Sequence, residues 1–236
     1  MTITSPESCT SAEAPLERWH AALKSCPVVA ILRGVTPAEV LEVGQELTKA
    51  GIKILEVPLN SPNAKESIRT LVGAALGDDV VIGAGTVLSV EDVEAVAATG
   101  ASLVVSPNVD EAVVRKTKAL GMISLPGVAT PSEAFSALRW GADALKAFPG
   151  EQIPPKIIKA WKAVLPKTVC LMPVGGVTLA NMQDYWDVGA SGFGVGTSLY
   201  APGDTPEEVA KKARDFVQHM EAVTRTQGTK RPLPGA

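Results

Sequence analysis

Three charged residues stand in runs that are otherwise apolar: Arg33 closes VVAILRG (28–34), Glu56 lies within ILEVP (54–58), and Lys146 lies within ALKAFP (144–149). Burying a charge is costly unless it is paired or used, so these positions are where chemistry is expected. A lysine in a desolvated pocket near another cation loses proton affinity, and its neutral amine attacks a ketone to form an iminium that draws in electrons. A carboxylate such as Glu56, directly or through one water, can take a hydroxyl proton as a carbon–carbon bond breaks, then return one to the enamine carbon. Arg33 offers a planar fork suited to a substrate carboxylate. The competing explanation is a buried salt bridge among the three; their coincidence at the ends of three separate runs favours chemistry.

A second set of residues suits an anion. VGGVT (174–178) and GFGVGTS (192–198) are glycine-rich turns following apolar runs, where bare backbone N–H groups can meet a phosphate. Gly175, Gly176, Gly196, Thr197 and Ser198 are the expected phosphate donors. GAGT (83–86) brings the Thr86 hydroxyl to a tight backbone approach and assigns it to a substrate carboxylate or keto group. Ser106-Pro107-Asn108 and Pro126-Gly127 are read as pocket wall. His20 and His219 are the only histidines, both in terminal segments, so no metal site is expected. No cofactor is implied either, and serine or cysteine nucleophile motifs are absent.

The elements that must position these groups follow from periodicity. Eight short apolar runs recur at about 20 to 27 residues, each followed by a turn and a helical pattern. They are Val28–Leu32, Ile54–Pro58, Val80–Gly83, Leu103–Val105, Met122–Leu125, Ala144–Ala147, Cys170–Val174 and Gly192–Val195. Thr36-Pro37 and Thr130-Pro131 are expected as helix N-caps followed by proline, while Gly51, Gly100, Gly121, Gly141 and Gly189 sit where helices should end. Eight such units predict an α/β fold, a single (β/α)8 TIM barrel, over an open sheet, whose Gly-x-Gly-x-x-Gly turn is missing. Leu16–Ser25 reads as an extra N-terminal helix closing the bottom. Residues 1–15 and 227–236 are expected as flexible extension and tail around a barrel spanning 16–226.

With Leu55, Val57 and Leu145 facing the helices, strand alternation turns Glu56 and Lys146 inward from the second and sixth strands. Arg33 follows Leu32 inward in the same way.

Composition narrows the function classes. A net charge of -3 with 20% charged residues provides no basic face for nucleic acid. Cys9, Cys26 and Cys170 form neither a disulfide pattern nor a zinc motif. No apolar run is long enough to cross a membrane, and Met1–Pro15 lacks a secretory pattern, so a cytoplasmic protein is expected.

VVAILRG, EVPLNSP, IGAGTVL, LKAFP and PVGGV together resemble the class I aldolases of the 2-keto-3-deoxy-6-phosphogluconate family, over about Pro27 to Phe216. The resemblance implies Lys146 as Schiff-base lysine, Glu56 as general acid/base, Thr86 in the pyruvoyl pocket and Phe148 as a wall beside the lysine. It implies pyruvate and a triose phosphate as products and a homotrimer as the assembly. The chain is similar to the galactonate branch: gluconate enzymes carry an arginine where this chain has Asn60, and tend to threonine where it has Val174. The gluconate epimer, or both epimers, is the nearest alternative. A phosphate-binding isomerase or a non-catalytic sugar-phosphate binding barrel would leave Lys146 without a covalent role. Glu151, after the sixth run, either faces the bound phosphate or points to solvent.

Overall fold

The computed structural model describes residues 13–226. In chain order the first half comprises α1 (Glu13–Ser25), β1 (Val28–Ile31), α2 (Val40–Ala50), β2 (Ile54–Pro58), α3 (Ala64–Gly73), β3 (Val81–Gly85), α4 (Val90–Ala97), β4 (Leu103–Val105), α5 (Glu111–Ala119) and β5 (Ile123–Leu125). The second half adds β6 (Gly127–Val128), α6 (Pro131–Arg139), β7 (Ala144–Ala147), α7 (Pro155–Val164), β8 (Cys170–Pro173), α8 (Met182–Asp187), β9 (Phe193–Val195) and α9 (Pro206–Thr226). All eight expected runs appear as strands, with ends shifted by at most two residues. The short β6 was not expected. It continues the fifth run past Pro126, whose missing N–H interrupts the ladder.

Every strand pairing is parallel. One sheet has the order β5-β4-β3-β2-β1-β9 and the other β6-β7-β8. Hydrogen bonds also run between them. On one side Asp143 N donates to Ser124 O and Lys146 N to Pro126 O, both at 3.0 Å. On the other, Ser191 N donates to Leu171 O at 2.8 Å and Val174 bridges Gly194. The parallel strands therefore curl about a concave face.

Alternation along each strand sorts the apolar residues into two clusters. Val28, Ala30, Leu55, Val57, Leu145 and Leu171 pack outward with the helices. Val29, Ile54, Val81, Leu103, Leu125 and Met172 fill the concave side, joined by Trp19, Ala22 and Leu23 of α1. Trp19 is 1% exposed, so α1 covers the end of the interior from which the strands start. Burying each such side chain contributes about 1.5 to 3 kcal/mol.

Local signals mostly act where their chemistry places them. Thr130 caps α6 in a reciprocal box: its hydroxyl accepts from Glu133 N, and Glu133 Oε2 accepts from Thr130 N at 2.9 Å. Thr36 is a correction. Glu39, not Thr36, is the N-cap of α2: Glu39 N donates to the Thr36 carbonyl at 3.3 Å, closing a turn over 36–39, so the Thr36 hydroxyl does not take the capping bond that Thr130 takes. Gly51 ends α2 at φ 111°, a left-handed conformation that only glycine adopts without strain. The N-terminal helix begins at Glu13 rather than Leu16. The expected flexibility of 1–15 and 227–236 otherwise falls on residues 1–12 and 227–236, which lie outside the described residues.

Candidate active site

Glu56 projects from β2 between the outward-facing Leu55 and Val57, and is 2% exposed. Its Oε2 has no hydrogen-bond partner. Room for the carboxylate comes from β3. A Cβ placed on Gly85 would collide with Glu56 Oε2, and the three atoms nearest such a carbon all belong to that carboxyl group. Burial in this apolar setting pushes the Glu56 pKa from 4.5 up to about 7, against the pull of the positive charges on Lys146 and Arg33.

Lys146, on β7, is 4% exposed. Burial is also the main influence here and depresses the amine's pKa; the Glu56 charge opposes that, and Arg33 adds to it. The ammonium nitrogen lies 4.7 Å from the centroid of the Phe148 ring, which forms one wall of its surroundings. Among the described residues, no ion pair joins Lys146 to Glu56. An acid held toward its neutral form and an amine held toward its neutral form are poised to exchange protons with a third party. A salt bridge would have driven both the other way.

Above this pair opens a cavity of about 210 Å3. Lys146, Phe148 and Val174 line it from below, with Gly175, Gly176, Gly196, Thr197 and Ser198 around the two glycine-rich turns. Arg33 lines it too: it continues the inner face of Val29 and Ile31 one step past the end of β1 at Ile31, and its side chain reaches the cavity at the rim, where it stays exposed. There Arg33 Nη1 donates to Asn60 Oδ1 at 2.7 Å. Glu56 lies in a narrow extension below, bounded also by Lys146, Val174, Ile31 and Gly194. Thr86 borders neither space. It follows Gly85 with φ 57°, a left-handed conformation rare for a β-branched residue and a mark of local strain.

Sequence reasoning missed three contributors. Gly85 had a usable signal, since it shares the inner face of β3 with Val81 and Gly83 beside the strand that carries Glu56. Asn60 was noted only as a branch marker, and nothing in one dimension joins it to Arg33. Glu151 was left between two orientations; its carboxylate lies against the Gly175–Gly176 turn and lines the cavity. Among the described residues no three His, Cys, Asp or Glu side chains gather as metal ligands.

A buried lysine and a buried acid on parallel strands, beneath a cavity lined by two glycine-rich turns, are what a Schiff-base lyase requires. The family model for KDPG and KHG aldolase matches residues 20–212, and the chain belongs to that family. It is 45% identical over 207 residues to the 2-dehydro-3-deoxy-6-phosphogalactonate aldolase of Escherichia coli strain K12, covering 87% of this chain and 99% of that one. A solved structure named "Native KDPGal structure" superposes with a TM-score of 0.81 at 45% identity, covering 84% of this chain and 95% of that chain. A cube-shaped cage designed by fusing symmetric oligomeric domains matches with a TM-score of 0.83 at 44% identity, over 87% and 76% of the two chains.

Proposed function

We propose that this protein cleaves 2-dehydro-3-deoxy-6-phosphogalactonate into pyruvate and D-glyceraldehyde 3-phosphate. The neutral Lys146 amine adds to the C2 ketone, the protonated Glu56 carboxyl gives its proton to the departing hydroxyl, and water leaves, giving an iminium and the Glu56 carboxylate. Glu56 takes the C4 hydroxyl proton, the C3–C4 bond breaks, and its electron pair flows to the iminium as the aldehyde departs. Glu56 returns the proton to C3 of the enamine, and water hydrolyses the imine to release pyruvate and the free amine. Arg33 holds the carboxylate end, and Gly175, Gly176, Gly196, Thr197 and Ser198 hold the phosphate, all from the lining of the cavity; Thr86, which borders neither space, is given no contact with the substrate. Phe148 and Val174 shape the wall between.

The observation that carries this reading is the unbridged pair Lys146 and Glu56, buried together with their pKa values displaced in opposite directions. The choice of the galactonate epimer rests on the relative named for that substrate and on Val174 at the cavity wall. The two sheets form one closed (β/α)8 barrel on this reading, supported by the hydrogen bonds at both seams and by the plug of α1. Residues 16–226 act as one catalytic unit. A homotrimer is part of the proposal, supported by the symmetric oligomeric domains of the matching cage; light scattering should give three times 24.5 kDa. No helix among the described residues is long and apolar enough to cross a membrane. A phosphorylated substrate is retained inside cells, which puts the activity in the cytoplasm.

Borohydride reduction in the presence of pyruvate, followed by peptide mass measurement, tests the covalent step. A pyruvyl adduct on Lys146 that disappears in Lys146→Ala, together with loss of cleavage in that variant, is expected. A folded wild-type protein with no adduct on any lysine would refute the mechanism. Comparing turnover on the galactonate and gluconate epimers tests the substrate: equal or greater turnover of the gluconate epimer would overturn the choice.

A further inference from the structure

The Gly175–Gly176 turn already has an anionic neighbour. A Cβ on Gly175 would lie 2.6 Å from Glu151 Oε2, and one on Gly176 would lie 2.9 Å from Glu151 Cγ and 3.2 Å from Oε1. The carboxylate thus occupies the hollow that the two missing side chains leave. Both glycines are left-handed, at φ 102° and 66°, so the hollow is a fixed feature of the backbone.

The segment carrying Glu151 is anchored at Gly150. Gly150 N donates to Val174 O at 2.7 Å, and the Tyr185 hydroxyl donates to Gly150 O at 3.1 Å. Only the side chain can swing. It is exposed, and among the described residues no cation is paired with it. Its charge contributes to raising the Tyr185 pKa, after the larger influence of burial.

A carboxylate and a phosphate monoester are both anions, and two like charges are disfavoured in one hollow, where the carboxylate also takes up the space. We propose that Glu151 is a built-in competitor for the phosphate cradle: its carboxylate fills the site when it is free and must rotate out before the phosphorylated end of a ligand can settle. This rests on the assignment of the Gly175–Gly176 turn as that cradle. Binding to a site that is open only part of the time is weakened in proportion to the open fraction. Glu151 therefore loosens the grip on phosphate and favours release of the phosphorylated product.

The test uses the full chain and inorganic phosphate, followed by NMR titration, and needs no turnover. Glu151→Gln keeps the shape and removes the charge, and it should bind phosphate about tenfold more tightly than wild type at low salt, a gain that shrinks as salt is added. Thr197→Val and Gly176→Ala probe the cradle itself and should weaken binding, with thermal melts checking that each is folded. Unchanged or weaker phosphate binding by Glu151→Gln, while the cradle variants bind less, overturns the competitor role and leaves the cradle standing. If the folded cradle variants bind phosphate as wild type does, the cradle assignment falls, and the competitor proposal falls with it.

Discussion

Glu56→Gln should make the protein more stable at pH 8 while disabling it. In the folded state the carboxyl group ionises at about 7 instead of 4.5. Between those values the native state holds more protons than the unfolded chain, so stability falls as pH rises from about 4.5 to about 7 and is level above. A displacement of that size corresponds to about 3 kcal/mol, because burial imposes a cost on the charged form. A neutral amide of the same shape escapes that cost, with its own unsatisfied hydrogen bonds setting about 3 kcal/mol as the upper bound. The gain corresponds to a melting temperature higher by up to about 6 to 12 °C in a chain of this length. Lys146 acts at the other end of the scale: its depressed pKa adds stability as pH climbs from the folded value toward 10.5. Urea titrations of both proteins at pH 8 and near pH 4.5 provide the comparison. The variant should lead at pH 8, the gap should close near pH 4.5, and cleavage should drop by orders of magnitude while the borohydride adduct persists. A variant no more stable than wild type at pH 8, or a gap of equal size at both pH values, would refute the reasoning that the site holds an expensive charge for its chemistry.

Gly85→Ala should displace the Glu56 carboxylate and slow deuterium exchange into the pyruvate methyl group by about a hundredfold, with borohydride trapping retained. Its cost in stability should vanish in a Glu56→Ala background, since the added carbon first meets that carboxyl group. Trp19→Ala should lower unfolding free energy by about 3 to 5 kcal/mol in urea titration by opening a hole beneath the concave core. Thr130→Ala should cost about 1 kcal/mol in the same titration, the value of a lost N-cap.

The strands were legible because each is a short, mostly apolar run followed by a turn, and the inner face of Glu56 and Lys146 followed from alternation alone. Alternation placed Arg33 on the cavity as well but did not give its exposure at the rim, because β1 stops at Ile31 and Arg33 lies past the strand's end. Thr36-Pro37 looked like a cap by local grammar, but Glu39 N turns to the Thr36 carbonyl instead of its hydroxyl, and α2 starts a turn later. The hydrogen bond between Arg33 and Asn60, and the approach of Glu151 to Gly175, join loops distant in sequence, and no pattern within either segment announces them. Gly85 lay between: the register of β2 and β3 makes its role evident, and that register is a tertiary fact.

The placement of α1 governs traffic through the site. With Trp19, Ala22 and Leu23 packed at the end where the strands start, the cavity over Lys146 opens, among the described residues, between the rim at Arg33 and the glycine turns. A ligand bound as proposed enters with its keto acid leading and its phosphate trailing. After cleavage, the fragment attached to Lys146 sits at the closed end with the triose phosphate between it and solvent. The aldehyde must therefore leave first and pyruvate last. Seen this way, accumulated pyruvate re-forms the imine on the empty enzyme, whereas the triose phosphate acts on the enzyme that still carries the enamine.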